Sequence, residues 1–212
     1  MTAIVDYGVG NLFSLSCSLA AIGAESVITS DARQLKSAER IILPGVGAFG
    51  DAADKLRETG LVPTLLEEAG RGKPFLGICL GMQLLFTRGL EFGEHAGLGL
   101  IPGDVVSLSD ALRARGSSLK VPQIGWNSLD IARSDCPILA NTKQGGFVYY
   151  VHSFYAACDA RYIAATSEYG VDVTGVVQNG SVFGTQFHPE KSGETGLGIL
   201  RAFCALGEGG KC

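Results

Sequence analysis

Apolar positions in the first half of the chain fall into short unbroken runs separated by stretches of near-helical period. Residues 2–6, 25–29 and 39–43 are such runs, bounded by turn residues, and they predict buried strands. Between the first two, Leu12, Leu15, Leu19 and Ile22 recur at helical spacing, and Asp31 is placed to cap a short helix after the second. Strand alternating with helix predicts an α/β protein with a mostly parallel central sheet. Sites in such sheets form beyond the carboxyl ends of the strands.

From about Glu91 the texture changes, and glycines and β-type runs at 104–108, 147–151 and 162–166 replace the earlier rhythm. These predict added, mostly antiparallel strands, with a polar loop at 110–118. Two last strands, 171–177 and 181–187, lead to a closing helix at 194–206 and a tail at 207–212 expected to fray. No linker of disordered composition separates the halves, so residues 1–206 are expected to form a single domain.

The stretch 73–86, KPFLGICLGMQLLF, organises the rest. Phe75-Leu76-Gly77-Ile78 reads as a buried strand, the residues from Leu80 to Phe86 as the start of a helix, and Cys79 stands at the junction. Gly77 and Gly81 let strand and helix pack tightly around a strained central residue, as in a nucleophile elbow. A helix N-terminus and a nearby imidazolium favour thiolate over thiol. The other reading is a buried structural cysteine.

The second glycine-rich run, Pro44-Gly45-Val46-Gly47-Ala48-Phe49-Gly50, also follows a strand and belongs on the same sheet edge. It is either a flexible loop or a source of backbone N–H donors for an oxyanion, with the Leu80 N–H as the second donor. Gly8 and Gly10 lack the third glycine of a dinucleotide fingerprint, so a tight turn is the simpler reading.

Composition narrows the function classes. A net charge of −4, with no Lys/Arg cluster among aromatics, disfavours nucleic acid. The amino terminus reads directly as a strand with no basic or long apolar leader, so a soluble cytoplasmic protein is expected. Six cysteines without Cys-x-x-Cys pairs suggest reduced thiols, and no metal or cofactor is implied.

A thiol nucleophile needs a base, and there are three histidines. His95 lies in a glycine-rich, surface-like loop; His152 lies in an aromatic strand that favours a structural or lining role. His188 ends a strand in Phe187-His188-Pro189-Glu190, where Pro189 biases it to an extended backbone. Residues two apart in an extended segment point the same way, so Glu190 can fix the imidazole tautomer. Alone the motif is weak, and a surface histidine near a turn is the alternative.

Together these residues resemble the class I glutamine amidotransferases: Pro44-Gly45-Val46-Gly47, Gly77-Ile78-Cys79-Leu80-Gly81-Met82-Gln83 and Phe187-His188-Pro189-Glu190 occur in that family's order. Within it the chain is most similar to the glutaminase subunits of imidazole glycerol phosphate synthase in histidine biosynthesis. That likeness rests on Asp6-Tyr7-Gly8-Val9-Gly10-Asn11, Val121-Pro122-Gln123-Ile124-Gly125-Trp126-Asn127, the aromatic run at 149–155 and His188-Pro189-Glu190-Lys191-Ser192.

The resemblance implies a three-layer, flavodoxin-like fold and a Cys79-His188-Glu190 triad that hydrolyses L-glutamine through a thioester. It also implies oxyanion donors at Gly45, Val46, Gly47 and Leu80, and glutamine contacts at Gln83, Ser153 and Phe154. The implied partner is a (β/α)8 barrel cyclase subunit that receives the ammonia in a heterodimer, with Asn11, Trp126, Tyr149 and Lys191 at the interface. Trp126 as core and Lys191 as a solvated lysine are the alternatives there. Competing functions are a subunit of an anthranilate or aminodeoxychorismate synthase, a subunit that keeps the fold without turnover, and a free-standing hydrolase of γ-glutamyl substrates.

Overall fold

The computed structural model describes residues 1–207, so the tail expected to fray lies outside the described residues apart from Gly207. The first half alternates as predicted. Strand β1 (Thr2–Val5) leads to helix α1 (Leu12–Ala21), β2 (Ser26–Thr29) to α2 (Ala32–Ser37), and β3 (Arg40–Gly45) to α3 (Phe49–Glu58) and α4 (Val62–Gly70). Asn11 and Asp31 cap α1 and α2, each carboxyl or amide oxygen accepting from a first-turn N–H. The glycine-rich run does not stay a loop to its end, because Phe49 and Gly50 already belong to α3.

Strand β4 (Phe75–Cys79) runs straight into α5 (Leu80–Leu84). That helix is far shorter than the sequence suggests: Phe86 opens strand β5 (Phe86–Gly89). Then follow β6 (His95–Ala96), β7 (Ile101–Ser107), α6 (Leu108–Ala114), β8 (Gln123–Ser128) and β9 (Asp130–Ile131). The expected polar loop at 110–118 is therefore half helix. Ser107 caps α6 through its hydroxyl, and Leu108 and Leu112, four apart, bury its inner face. The chain closes with β10 (Phe147–His152), β11 (Phe154–Ala157), β12 (Ile163–Glu168), β13 (Asp172–Asn179), β14 (Val182–Thr185) and α7 (Gly193–Cys204).

The main sheet has the order β2-β1-β3-β4-β14-β13-β12-β9; β2, β1, β3, β4 and β14 are mutually parallel, and β13, β12 and β9 add antiparallel pairs. A four-stranded sheet, β11-β7-β5-β6, and the antiparallel pair β10-β8 lie apart from it. Alternate strand residues serve two apolar layers. Ala3, Val5, Ile41 and Leu43 pack with Leu35, Leu56 and Leu65 of α2 to α4, whereas Ile4, Ile42, Leu76 and Ile78 pack with Leu15, Leu19, Ile199 and Phe203 of α1 and α7.

The start of β4 is pinned by a buried ion pair, Lys73 Nζ to Glu68 Oε2 at 2.6 Å, and the same ammonium donates to the carbonyls of Leu35 and Lys36. Removing one partner leaves a charge without its counterion in a dry place. Glu68→Ala is expected to cost about 3 kcal/mol, read from urea unfolding. An unchanged midpoint would contradict the structural role given to this pair.

Candidate active site

Cys79 adopts φ 54°, ψ −112°, a left-handed backbone that side chains rarely tolerate, at the point where β4 becomes α5. The glycines around it make that turn possible. A Cβ on Gly77 would stand 2.6 Å from the Gly81 carbonyl oxygen, and one on Gly81 would overlap the Leu43 carbonyl oxygen of β3. With only five residues, α5 supplies a shorter dipole at the thiol than the expected helix would.

The glycine-rich run lies beside it because β3 and β4 pair in register, Pro44 opposite Ile78 and Gly45 opposite Cys79. Tyr7, buried at the end of β1, donates its hydroxyl to the Pro44 carbonyl at 2.7 Å. Burial first, and then the nearby Cys79, push that phenol well above its usual range, so it stays a donor.

His188 and Glu190 come together as expected, Nδ1 to Oε1 at 2.8 Å, both almost wholly buried. The backbone that joins them differs from the expectation. The strand ends at Thr185, His188 keeps an extended backbone, and Pro189–Lys191 form a single 3-10 turn. Ser192 pins this turn to β10: its hydroxyl donates to the His188 carbonyl and accepts from the Tyr149 N–H. Burial opposes a charge on His188, but the Cys79 sulfur and the Glu190 carboxylate outweigh it and push the imidazole up to about 9. Its Nε2 is buried and makes no hydrogen bond within the protein. A ring nitrogen so placed is available to a reacting group.

These groups face a cavity of about 360 Å³. Cys79, His188, Val46, Gly47, Leu80, Gln83, Ser153, Phe154 and Lys191 all line it. Gly45 does not. It packs behind the wall, where a Cβ would meet Tyr7, Leu80 and Gly81. Gln83 lines the cavity but has both amide hydrogens committed, to the Phe154 carbonyl at 2.9 Å and the Gln186 Oε1 at 3.1 Å.

Asn11 caps α1, and Trp126 and Tyr149 lie outside the cavity on β8 and β10, in edge-to-face contact with centroids 6.0 Å apart. Trp126 is 56% exposed, so it is not core. His95 is not in a loop: it pairs with Gly89 in β6 and lies over Gly50.

Three further groups belong to the site and are absent from the sequence reading. Glu91 lines the cavity and accepts from the Phe49 N–H at 2.7 Å, at the start of α3; nothing in its local sequence marks it. Gln186 lies two residues before His188, so the period-two logic that pairs His188 with Glu190 also points to it. Gln123 reaches His152 across the β8-β10 pair, one residue opposite the other.

His152 holds the wall of the cavity. Its Nδ1–H donates to the Phe154 carbonyl at 2.9 Å, and its Nε2 lies 2.9 Å from Gln123 Oε1; in the neutral imidazole that nitrogen can only accept, so the Gln123 amide turns its NH₂ toward it. Burial lowers it from 6.5 to about 4, with the Phe154 bond opposing. A neutral folded histidine binds fewer protons than the unfolded one, so stability falls as the pH drops from 6.5 toward about 4, by on the order of 3 kcal/mol. His188 has the opposite sign: its contribution is complete below 6.5 and lost as the pH rises through about 9. His152→Gln is therefore expected to flatten the acid limb of the melting-temperature profile, and an unchanged limb would contradict this assignment.

Among the described residues no helix is long and apolar enough to cross a membrane, and no group of three or more His, Cys, Asp or Glu side chains is arranged to hold a metal ion. The model of the family described as glutamine amidotransferase class-I matches residues 3–205. The imidazole glycerol phosphate synthase subunit HisH of Bacillus cereus is 48% identical over 211 residues, covering 100% of this chain and 97% of that protein. Its namesake from Geobacter metallireducens is 47% identical over 95% of this chain and 96% of its own length. Among solved structures, a chain in the structure of PurLQS from Thermotoga maritima superimposes with a TM-score of 0.74 at 24% identity, over 95% of this chain and 96% of that one. The fold, with its mostly parallel central sheet and antiparallel additions, is thus shared, and this chain belongs to the class-I glutamine amidotransferase family.

Proposed function

We propose that this chain is the glutaminase subunit of an imidazole glycerol phosphate synthase, hydrolysing L-glutamine to glutamate and ammonia for histidine biosynthesis. The observation that carries the chemistry is the His188–Glu190 pair at 2.8 Å, set beside a cysteine on a strained elbow in one cavity. Likeness at 48% identity over the whole chain supports the specific synthase. Residues 1–206 act as one glutamine amidotransferase domain.

The Cys79 thiolate attacks the side-chain amide carbon, and the oxyanion that forms is held by backbone N–H groups of the run at Val46 and Gly47 and of Leu80. The imidazolium of His188 protonates the departing ammonia, leaving a γ-glutamyl thioester. Neutral His188 then takes a proton from water, whose attack breaks the C–S bond and returns the electron pair to sulfur. Glu190 holds the Nδ1 proton throughout. Glu91 is the cavity carboxylate proposed to receive the α-ammonium group of glutamine, and Ser153 and Phe154 line the same cavity.

Ammonia released into water is protonated and lost as a nucleophile, so a partner must take it directly. The proposed partner is a (β/α)8 barrel cyclase in a cytoplasmic heterodimer. It docks on the outer face of β8 and β10, where Ile124, Trp126 and Phe147 are 61%, 56% and 59% exposed. Tyr149 lies on the same strand pair, and Asn11 at the start of α1 and Lys191 at the cavity are the further residues proposed at the interface. Trp126→Ala is expected to weaken binding of the barrel at least about ten-fold, measured by titration calorimetry, with the melting temperature unchanged. Unaltered affinity would remove Trp126 from the interface.

Glutamate release by the purified chain, alone and with the barrel subunit and its nucleotide, tests the function. The expected result is weak activity alone and strong stimulation by the loaded barrel; equal activity in both would point to a free-standing hydrolase.

A further inference from the structure

We propose that Gln186 is a catalytic residue, its side-chain amide donating to the Cys79 sulfur whenever that sulfur carries charge. This rests on the glutaminase reading above. Gln186 is completely buried, and its Nε2 lies 3.9 Å from Cys79 Sγ. The orientation of the amide follows from the atoms around it.

The Phe154 carbonyl can only accept, so Gln83 must turn its NH₂ toward it. The second hydrogen of that NH₂ meets the amide of Gln186, which must therefore present its oxygen there. Gln186 is left with its own NH₂ directed at the sulfur. Reversing either amide would set oxygen against oxygen or hydrogen against hydrogen. One backbone carbonyl thus orients the whole relay, Phe154 to Gln83 to Gln186 to Cys79.

The sulfur has a different partner in each protonation state. As a thiol it donates to the Val151 carbonyl, 4.0 Å away; as a thiolate it is repelled by that oxygen and accepts from Gln186. The donor acts at two steps. Before attack it holds the thiolate on the cavity side. When water attacks the thioester, the C–S bond breaks, the electron pair returns to sulfur and the Gln186 N–H receives the new charge, while the proton from water goes to His188. The imidazolium alone cannot do this second task, because His188 is neutral when it begins to activate water.

Gln186→Met removes the donor at similar volume. Gln186→Glu keeps the oxygen that faces Gln83 and replaces the donor with a carboxylate. Both are assayed in the complex with the barrel subunit, alongside iodoacetamide alkylation followed on the peptide that carries Cys79. The expected result is a fall of about ten-fold or more in kcat for glutamine, with KM changed less than about three-fold. Alkylation of Cys79 at neutral pH should slow to a similar degree and recover at higher pH, which a purely structural role would not produce.

Alkylation profiles of Met and Glu variants that superimpose on the parent's would overturn the proposal, whatever happens to kcat. If the methionine variant fails to fold, the glutamate variant decides by the same comparison. Failure of the function reading is distinguishable, since the unsubstituted complex would then release no glutamate although Cys79 alkylation still differs between it and the Gln186 variants.

Discussion

Cys79→Ala is expected to lower glutamine-dependent synthesis in the complex by about 10⁴-fold or more, while synthesis from added ammonium salts stays near that of the unsubstituted protein. The size of the loss follows from what the thiol does. It turns a direct attack of water on an unreactive amide into two easier steps through a thioester, whereas His188 and Glu190 are arranged to move protons and charge. The ammonia-fed activity survives because the substitution removes only the ammonia source. Cys79 is buried against the sheet, and alanine fills its place without a new polar group. Parallel assays of imidazole glycerol phosphate formation from glutamine and from ammonia read both arms. Loss of both would break the division of labour between the subunits.

Gly81→Ala is expected to destabilise the fold by more than about 4 kcal/mol, enough to prevent accumulation of soluble protein, although only a methyl group is added. The added Cβ would run into the Leu43 carbonyl of β3, which is backbone and cannot rotate away. Relief requires α5 to lift off β3 and β4. That movement would also pull Met82 from the place where it packs over Gly184, whose own missing side chain admits it. The cost is larger than a left-handed glycine with open space around it would incur, since there only backbone strain is at stake. Urea unfolding, or the soluble fraction on expression, checks this; a folded variant with a midpoint close to the parent's would mean that the elbow is not close-packed.

The first half of the fold is legible because the inner parallel strands are buried on both sides and therefore written as apolar runs, as in Ile41-Ile42-Leu43 and Phe75-Leu76, whereas the edge strand β2 leaves Ile28 41% exposed. The elbow is legible for a related reason: Gly77 and Gly81 flank Cys79 because no other residue fits there. What local pattern cannot convey is where a run stops. Leu84-Leu85-Phe86 continues the helical hydrophobicity of α5, yet Phe86 pairs with Ile101 of β7, a contact set by tertiary packing. Helix α6 is hidden among Asp110, Arg113 and Arg115, since one turn buried through Leu108 and Leu112 leaves little periodicity to detect.

The site divides in the same way. His188 and Glu190 are found by a period-two argument, although the chain brings them together through a 3-10 turn instead. Gln186 obeys that argument and escapes notice, because an amide announces no chemistry on its own. Glu91 reaches the cavity only through its bond to the start of α3, a long-range fact with no local signature.

The central claim, that Cys79 is the atom that attacks glutamine, is tested most directly by a glutamine analogue with a diazoketone in place of the side-chain amide. The complex with the barrel subunit is treated with it and the adduct located by peptide mass. The account predicts one adduct per chain, on the peptide bearing Cys79, formed in proportion to the loss of glutamate release and absent from Cys79→Ala. Inactivation with the adduct on another residue, or equal labelling of Cys79→Ala, would contradict it.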